Sequence, residues 1–131
     1  MTDEPLASAS KPPRTRGWVH AVSATAYSLA GFRRLLGEAA FRQEMALAAA
    51  VFGLFAVVGA PLASFGIQAI LFLVLMAVEA LNTAIEVLVD RISPGFARFA
   101  QEAKDLGSLA VFCLVLANGG FALFVVWHGW A

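Results

Sequence analysis

Glu79, Asn82, Glu86 and Asp90 follow one another at spacings of 3, 4 and 4 residues. At about 100° per residue these positions fall within about 80° of one another on a helix, so they form one polar stripe. Leu81, Ile85, Leu88 and Ile92 take the opposite side. Charge also gathers in Glu38-Ala39-Ala40-Phe41-Arg42-Gln43-Glu44 and again at Lys104-Asp105. Several acids and a lysine brought to one level suit a divalent cation and a polyphosphate. Carboxylates hold Mg²⁺ through one or two ligands while phosphate oxygens complete its shell. A lysine neutralises phosphate charge, and a deeper carboxylate accepts a proton from an alcohol.

The elements that must bring these residues together are set by hydropathy. Of 131 residues, 60% are hydrophobic and 14% charged, against about 25% charged in ordinary globular domains. Lipid is therefore expected to solvate much of the surface. Residues 45–78 and 106–131 contain no Asp, Glu, Lys or Arg. A crossing needs about 20 residues for ~30 Å of hydrocarbon. The first run is too long for one crossing and too short for two, and Gly59, Pro61, Ser64 and Gly66 mark a turn inside it. The spacing predicts transmembrane helices at about 41–60, 66–89 and 105–127. To complete its crossing, the second must draw Glu79 and Glu86 in with it. Glu79 then lies on the order of 10 Å below the boundary, Glu86 near it and Asp90 just outside.

Upstream, Trp18, Val22, Leu29, Phe32 and Leu36 recur at roughly helical spacing, with His20, Ser23, Tyr27 and Arg34 largely between them. This predicts an amphipathic surface helix over 18–36, ended by Gly37. Residues 1–16, with Pro5, Pro12 and Pro13, read as a disordered cytoplasmic tail without the apolar core of a signal peptide. Residues 17–131 read as a single domain. Lys11, Arg14, Arg16, Arg33, Arg34 and Arg42 precede the first apolar run, and Arg91, Arg98 and Lys104 lie between the second and third. The positive-inside rule then places the N-terminus and the 91–104 connection in the cytoplasm and the C-terminus outside. Trp127 and Trp130 suit the outer interfacial belt. The fold class is an all-α membrane protein with three transmembrane helices and an N-terminal surface helix.

A carboxylate at membrane depth needs a partner, a cation or a proton. Structural roles compete for each residue. Glu86 and Asp90 suit solvated helix ends paired with Arg91 or Lys104. Asn82 suits a contact between helices, and Arg42 and Lys104 suit snorkelling to headgroups. Packing alone gives little reason to bury Glu79. Cys113 is the only cysteine, which excludes an intrachain disulfide and fits helix packing. There is no Walker loop, protein-kinase signature, His-Glu-x-x-His or Gly-x-Ser-x-Gly.

The run Glu79-Ala80-Leu81-Asn82-Thr83-Ala84-Ile85-Glu86-Val87-Leu88-Val89-Asp90-Arg91, with residues 38–44 and Ala103-Lys104-Asp105-Leu106-Gly107-Ser108, resembles the prokaryotic integral-membrane diacylglycerol kinases over about residues 27–128. The resemblance implies a homotrimer with sites between neighbouring subunits, and direct transfer of the ATP γ-phosphoryl group to diacylglycerol, giving phosphatidic acid. It implies Glu79 as catalytic base and Glu38 and Glu86 as ligands of the Mg²⁺ that accompanies ATP. Tyr27, Glu38, Asn82, Glu86, Asp90, Lys104 and Asp105 match the nucleotide side, and Arg42, Glu44, Glu79 and Ser108 the lipid side. The stretch from Tyr27 to Glu38 is one residue shorter than in familiar members. The basic residues expected in the surface helix are not matched by residues 19–23, and Leu109 replaces a small residue.

Two alternatives stand beside this expectation. One is the same chemistry on undecaprenol, in an inner-membrane protein of the same architecture. The other is a non-catalytic subunit or a proton-conducting assembly with Glu79 as relay. Against the relay, the outer half of the spans offers only Gln68, Asn118 and His128.

Overall fold

The computed structural model describes residues 17–130, so the expected tail over 1–16 lies outside the described residues. Four helices follow in order: α1 (Trp18–Leu36), α2 (Ala39–Val57), α3 (Leu62–Ile92) and α4 (Arg98–Trp130). No strand occurs among the described residues. The last three are each long and apolar enough to cross a membrane. The surface helix has the expected bounds, and three spans follow it. This is an all-α membrane protein.

The hairpin between α2 and α3 is tighter than expected. Gly59 has φ +68°, a left-handed conformation that favours glycine. Around it, Gly59 N donates to Ala56 O (3.3 Å) and Ala60 N to Phe55 O (2.9 Å), the paired bonds of a Schellman ending. Pro61 follows, and α3 starts at once at Leu62. Ser64 and Gly66, expected in the turn, are helical, because the reversal is complete before either is reached. Similarly, α4 begins at Arg98 rather than near 105. Pro94 and Gly95 confine the connection to residues 93–97.

These earlier starts have a common cause. Hydropathy marks the thickness of the bilayer, whereas a helix continues wherever its own hydrogen bonds are met. With 31 and 33 residues, α3 and α4 reach about 46 and 50 Å against ~30 Å of hydrocarbon. Each therefore carries roughly ten residues beyond a crossing.

The main contact of the bundle is α3 against α4. Its apolar core is small: Phe55, Ala122 and Val125, flanked by Val51, Ala60, Phe65, Phe121 and Val126. Phe55 meets Phe65 edge-on at 5.6 Å between centroids. Leu35 is buried, and Phe32 meets the buried Phe41 edge-on, which joins α1 to α2.

Burial on α3 is inverted relative to a water-soluble helix. Gln68, Glu79, Asn82 and Thr83 are buried, while Leu81, Leu88 and Ile92 are 64%, 60% and 73% exposed. Water would penalise that arrangement heavily; lipid tails solvate the leucines and leave the interior to polar groups.

Candidate functional site

The polar stripe of α3 faces inward as its spacing requires. Glu79, Asn82, Thr83 and Glu86 line one cleft of about 330 Å³, together with Glu38 and Ala40 from the start of α2 and Ser108, Val111, Phe112 and Val115 from α4. One wall is therefore acidic and the other mostly apolar. Such a cleft admits a charged group on one side and an aliphatic one on the other.

Each acid reaches the cleft from a different local setting. Glu38 occupies the N-cap position of α2 in extended conformation, without a capping bond from its side chain. It pairs instead with Arg34 Nη1, one turn back across the α1–α2 corner. Its carboxylate also stands at the positive end of the α2 dipole. Glu79 is 5% exposed. Asn82 Nδ2 donates to Glu86 Oε1 at 3.2 Å, one turn along α3.

The other residues expected on the nucleotide side separate from this group. Asp90, Lys104 and Asp105 line a second cleft, of about 310 Å³, at the α3–α4 connection, with Ser93, Pro94 and Gly95. There Lys104 Nζ donates to Asp90 Oδ1 at 2.5 Å across the two helices. The solvated ion pair weighed for Asp90 is thus present. Tyr27 is 71% exposed on α1 and does not line the acidic cleft.

The residues expected on the lipid side also divide. Ser108 and Glu79 share the acidic cleft. Glu44 instead lines an apolar groove of about 360 Å³ with Phe32, Phe41, Met45, Phe72 and Met76. Arg42 Nη1 donates to the carbonyl oxygens of Leu36 (3.1 Å) and Gly37 (2.9 Å). It therefore ties the end of α1 to α2.

Thr83 and Gly107 were not singled out from the sequence. Thr83 is adjacent to Asn82, is buried and lines the cleft, and its place on the inward side of the stripe was the available signal. Gly107 is visible in the sequence only as part of the Lys104–Ser108 motif.

Among the described residues, no three His, Cys, Asp or Glu side chains are grouped to hold a metal by themselves. The donor chemistry nevertheless suits Mg²⁺ brought with phosphate. Glu38 and Glu86 offer hard oxygen donors from two helices to one cleft, and Mg²⁺ commonly takes only one or two carboxylates beside phosphate oxygens.

Fold and cleft together define a small three-span membrane protein with an acidic site set among its helices. Residues 26–126 match the model of the prokaryotic diacylglycerol kinase family, and the chain belongs to that family. It is similar to the diacylglycerol kinase of a Sinorhizobium species, 51% identical over 107 residues, which cover 82% of this chain and 78% of that one. The diacylglycerol kinase of Escherichia coli strain K12 is 37% identical over 105 residues, covering 78% and 84%. That of Haemophilus influenzae is 34% identical over 117 residues, covering 88% and 95%.

Proposed function

We propose that this chain phosphorylates diacylglycerol with ATP, giving phosphatidic acid and ADP at the cytoplasmic face of a bacterial inner membrane. The observation that carries this reading is the convergence of Glu38, Glu79, Asn82 and Glu86 on one half-apolar cleft in a chain of this family.

In the proposed step the lipid hydroxyl oxygen forms a bond to the γ-phosphorus while the bond to the β,γ-bridging oxygen breaks. Glu79 takes the hydroxyl proton. Its burial suits it to this work, since few water molecules compete with the alcohol there. Glu38 and Glu86 would hold Mg²⁺ with the nucleotide phosphates. When bound, that ion would offset the charge gathered on the transferring group. Asn82 steadies Glu86 through its amide. Asp90, Lys104 and Asp105 lie at the neighbouring cleft, where Lys104 would exchange its bond to Asp90 for phosphate oxygens. Tyr27 would join the nucleotide side from α1. Ser108 borders the alcohol, while Glu44 and Arg42 belong to the α1–α2 corner beside the apolar groove.

The position of the basic residues supports the cytoplasmic assignment: Arg33, Arg34 and Arg42 lie on the same side of the spans as Arg91, Arg98 and Lys104. That puts the N-terminus inside and the C-terminus in the periplasm. A homotrimer belongs to the same reading. It is supported by the open side of a cleft too slight for both ATP and a lipid.

The test is phosphorylation of lipid from radiolabelled ATP by the purified protein in mixed micelles, with diacylglycerol and undecaprenol in parallel. Mg²⁺-dependent formation of phosphatidic acid is expected. A strong preference for the polyprenol would overturn the substrate, and labelling of neither lipid would overturn the activity.

A further inference from the structure

Gly107 lies buried on α4 where that helix crosses α3. A Cβ placed on it would overlap Asn82 Oδ1 and come within 3.2 Å of Asn82 Cγ. Asn82 therefore fills the space that a side chain at position 107 would occupy. With any larger residue at position 107, Asn82 Oδ1 would have to move.

The two ends of the Asn82 amide have different surroundings. Oδ1 is buried against Gly107 and accepts no conventional hydrogen bond, while Nδ2 donates to Glu86 Oε1 at 3.2 Å. A glycine Cα–H is a weak donor suited to a carbonyl oxygen. Turned over, the amide would bring two oxygens face to face on the Glu86 side. Glu86 thus sets which way round the amide lies, and Gly107 gives it the room to lie there. The consequence passes along α3: an amide seated against Gly107 holds in turn one oxygen of Glu86.

We infer that Gly107 is a positioning residue, which seats the Asn82 amide so that its NH₂ group holds the Glu86 carboxylate in place. Gly107 touches neither substrate nor metal; it acts through Asn82, and Asn82 acts through Glu86. The catalytic consequence rests on the proposed role of Glu86, whereas the seating itself does not.

The chain has two asparagines, Asn82 and Asn118. Protein labelled with ¹⁵N at asparagine therefore shows two side-chain amide groups by NMR, and the one lost in Asn82→Ala is assigned. Gly107→Ala is expected to shift the Asn82 amide signals and speed their exchange with water while leaving those of Asn118 in place. The Mg²⁺ concentration for half-maximal turnover is expected to rise about tenfold, as for other groups that orient a metal ligand. Added to Asn82→Ala, Gly107→Ala should raise it no further. An unmoved Asn82 amide, or Mg²⁺ penalties that multiply in the double variant, would overturn the inference.

If Gly107→Ala alone does not fold, the double variant carries the test, since Asn82→Ala vacates the space for the new methyl. It should fold and show the Mg²⁺ dependence of Asn82→Ala; failure to fold would count against the seating. Should the parent chain label no lipid at all, the proposed function falls, and the NMR comparison still decides the contact.

Discussion

At one end of the α3–α4 seam Gln68 and Asn118 close on each other; towards the other, Glu79, Asn82 and Glu86 open on a cleft. Gln68 Nε2 donates to Asn118 Oδ1 at 2.9 Å, and Asn118 Nδ2 donates to the carbonyl oxygens of Leu114 (2.8 Å) and Leu71 (3.3 Å). Of this pair, Gln68 Oε1 alone lacks a partner. Both regions place polar side chains inside spans whose outer faces are apolar. The first uses neutral amides, which can satisfy most of one another's needs within the chain. The second uses carboxylates, which cannot neutralise each other; Glu86 takes one hydrogen bond from Asn82, and a cation or a proton would meet the remaining charge. Polarity in a membrane protein is structural where its partners are internal and chemical where they are missing.

Exchanging the chemistry of the open end for that of the closed one is the severest test of this contrast. Glu79→Gln puts an amide of nearly the same shape in the buried position. Turnover should fall by about 10²–10⁴-fold or more, the range for loss of a general base. Melting temperature and oligomer size should hold, because no packing is lost. Near-normal formation of phosphatidic acid would make Glu79 another Gln68.

A smaller effect is expected one turn further on. Glu86→Gln and Glu38→Gln should each weaken Mg²⁺ activation by roughly 10–100-fold, with part of the rate recovered at high Mg²⁺. Titration of turnover with Mg²⁺ at saturating ATP distinguishes this from loss of the base. An unchanged Mg²⁺ midpoint in both variants would remove the proposed ligands.

How far this division was legible in the sequence depends on the distance over which each signal acts. The 3, 4, 4 spacing of Glu79, Asn82, Glu86 and Asp90 is local, and it correctly put the first three on an inward face. The surface helix over 18–36 was legible for the same reason. Helix ends were less so: apolar runs report where lipid is, and α3 and α4 extend beyond it. Gly107 was opaque because its role depends on which residue of α3 lies opposite, a register that one sequence does not state. Gln68 and Asn118, separated by 50 residues, could be noted as the polar residues of the outer half but not joined. Asp90 was read both as a stripe residue and as half of an ion pair, and its bond to Lys104 now gives the second reading a geometry.

Disrupting the closed end should cost stability and leave chemistry intact. Gln68→Leu or Asn118→Leu leaves one buried amide without its main partner, at a cost of about 1–2 kcal/mol. The double variant removes both needs together, so its loss should be smaller than the two single losses combined. Turnover at saturating substrates should stay within about twofold, since neither side chain lines the acidic cleft. Reversible unfolding in mixed micelles, with the phosphatidic acid assay on the same samples, checks both halves. If either leucine variant lost activity as Glu79→Gln is expected to, while remaining folded, the amides would belong to the chemistry. Proton flux through liposomes would then become the measurement to make, because a polar path running from Gln68 to Glu79 is what a relay requires.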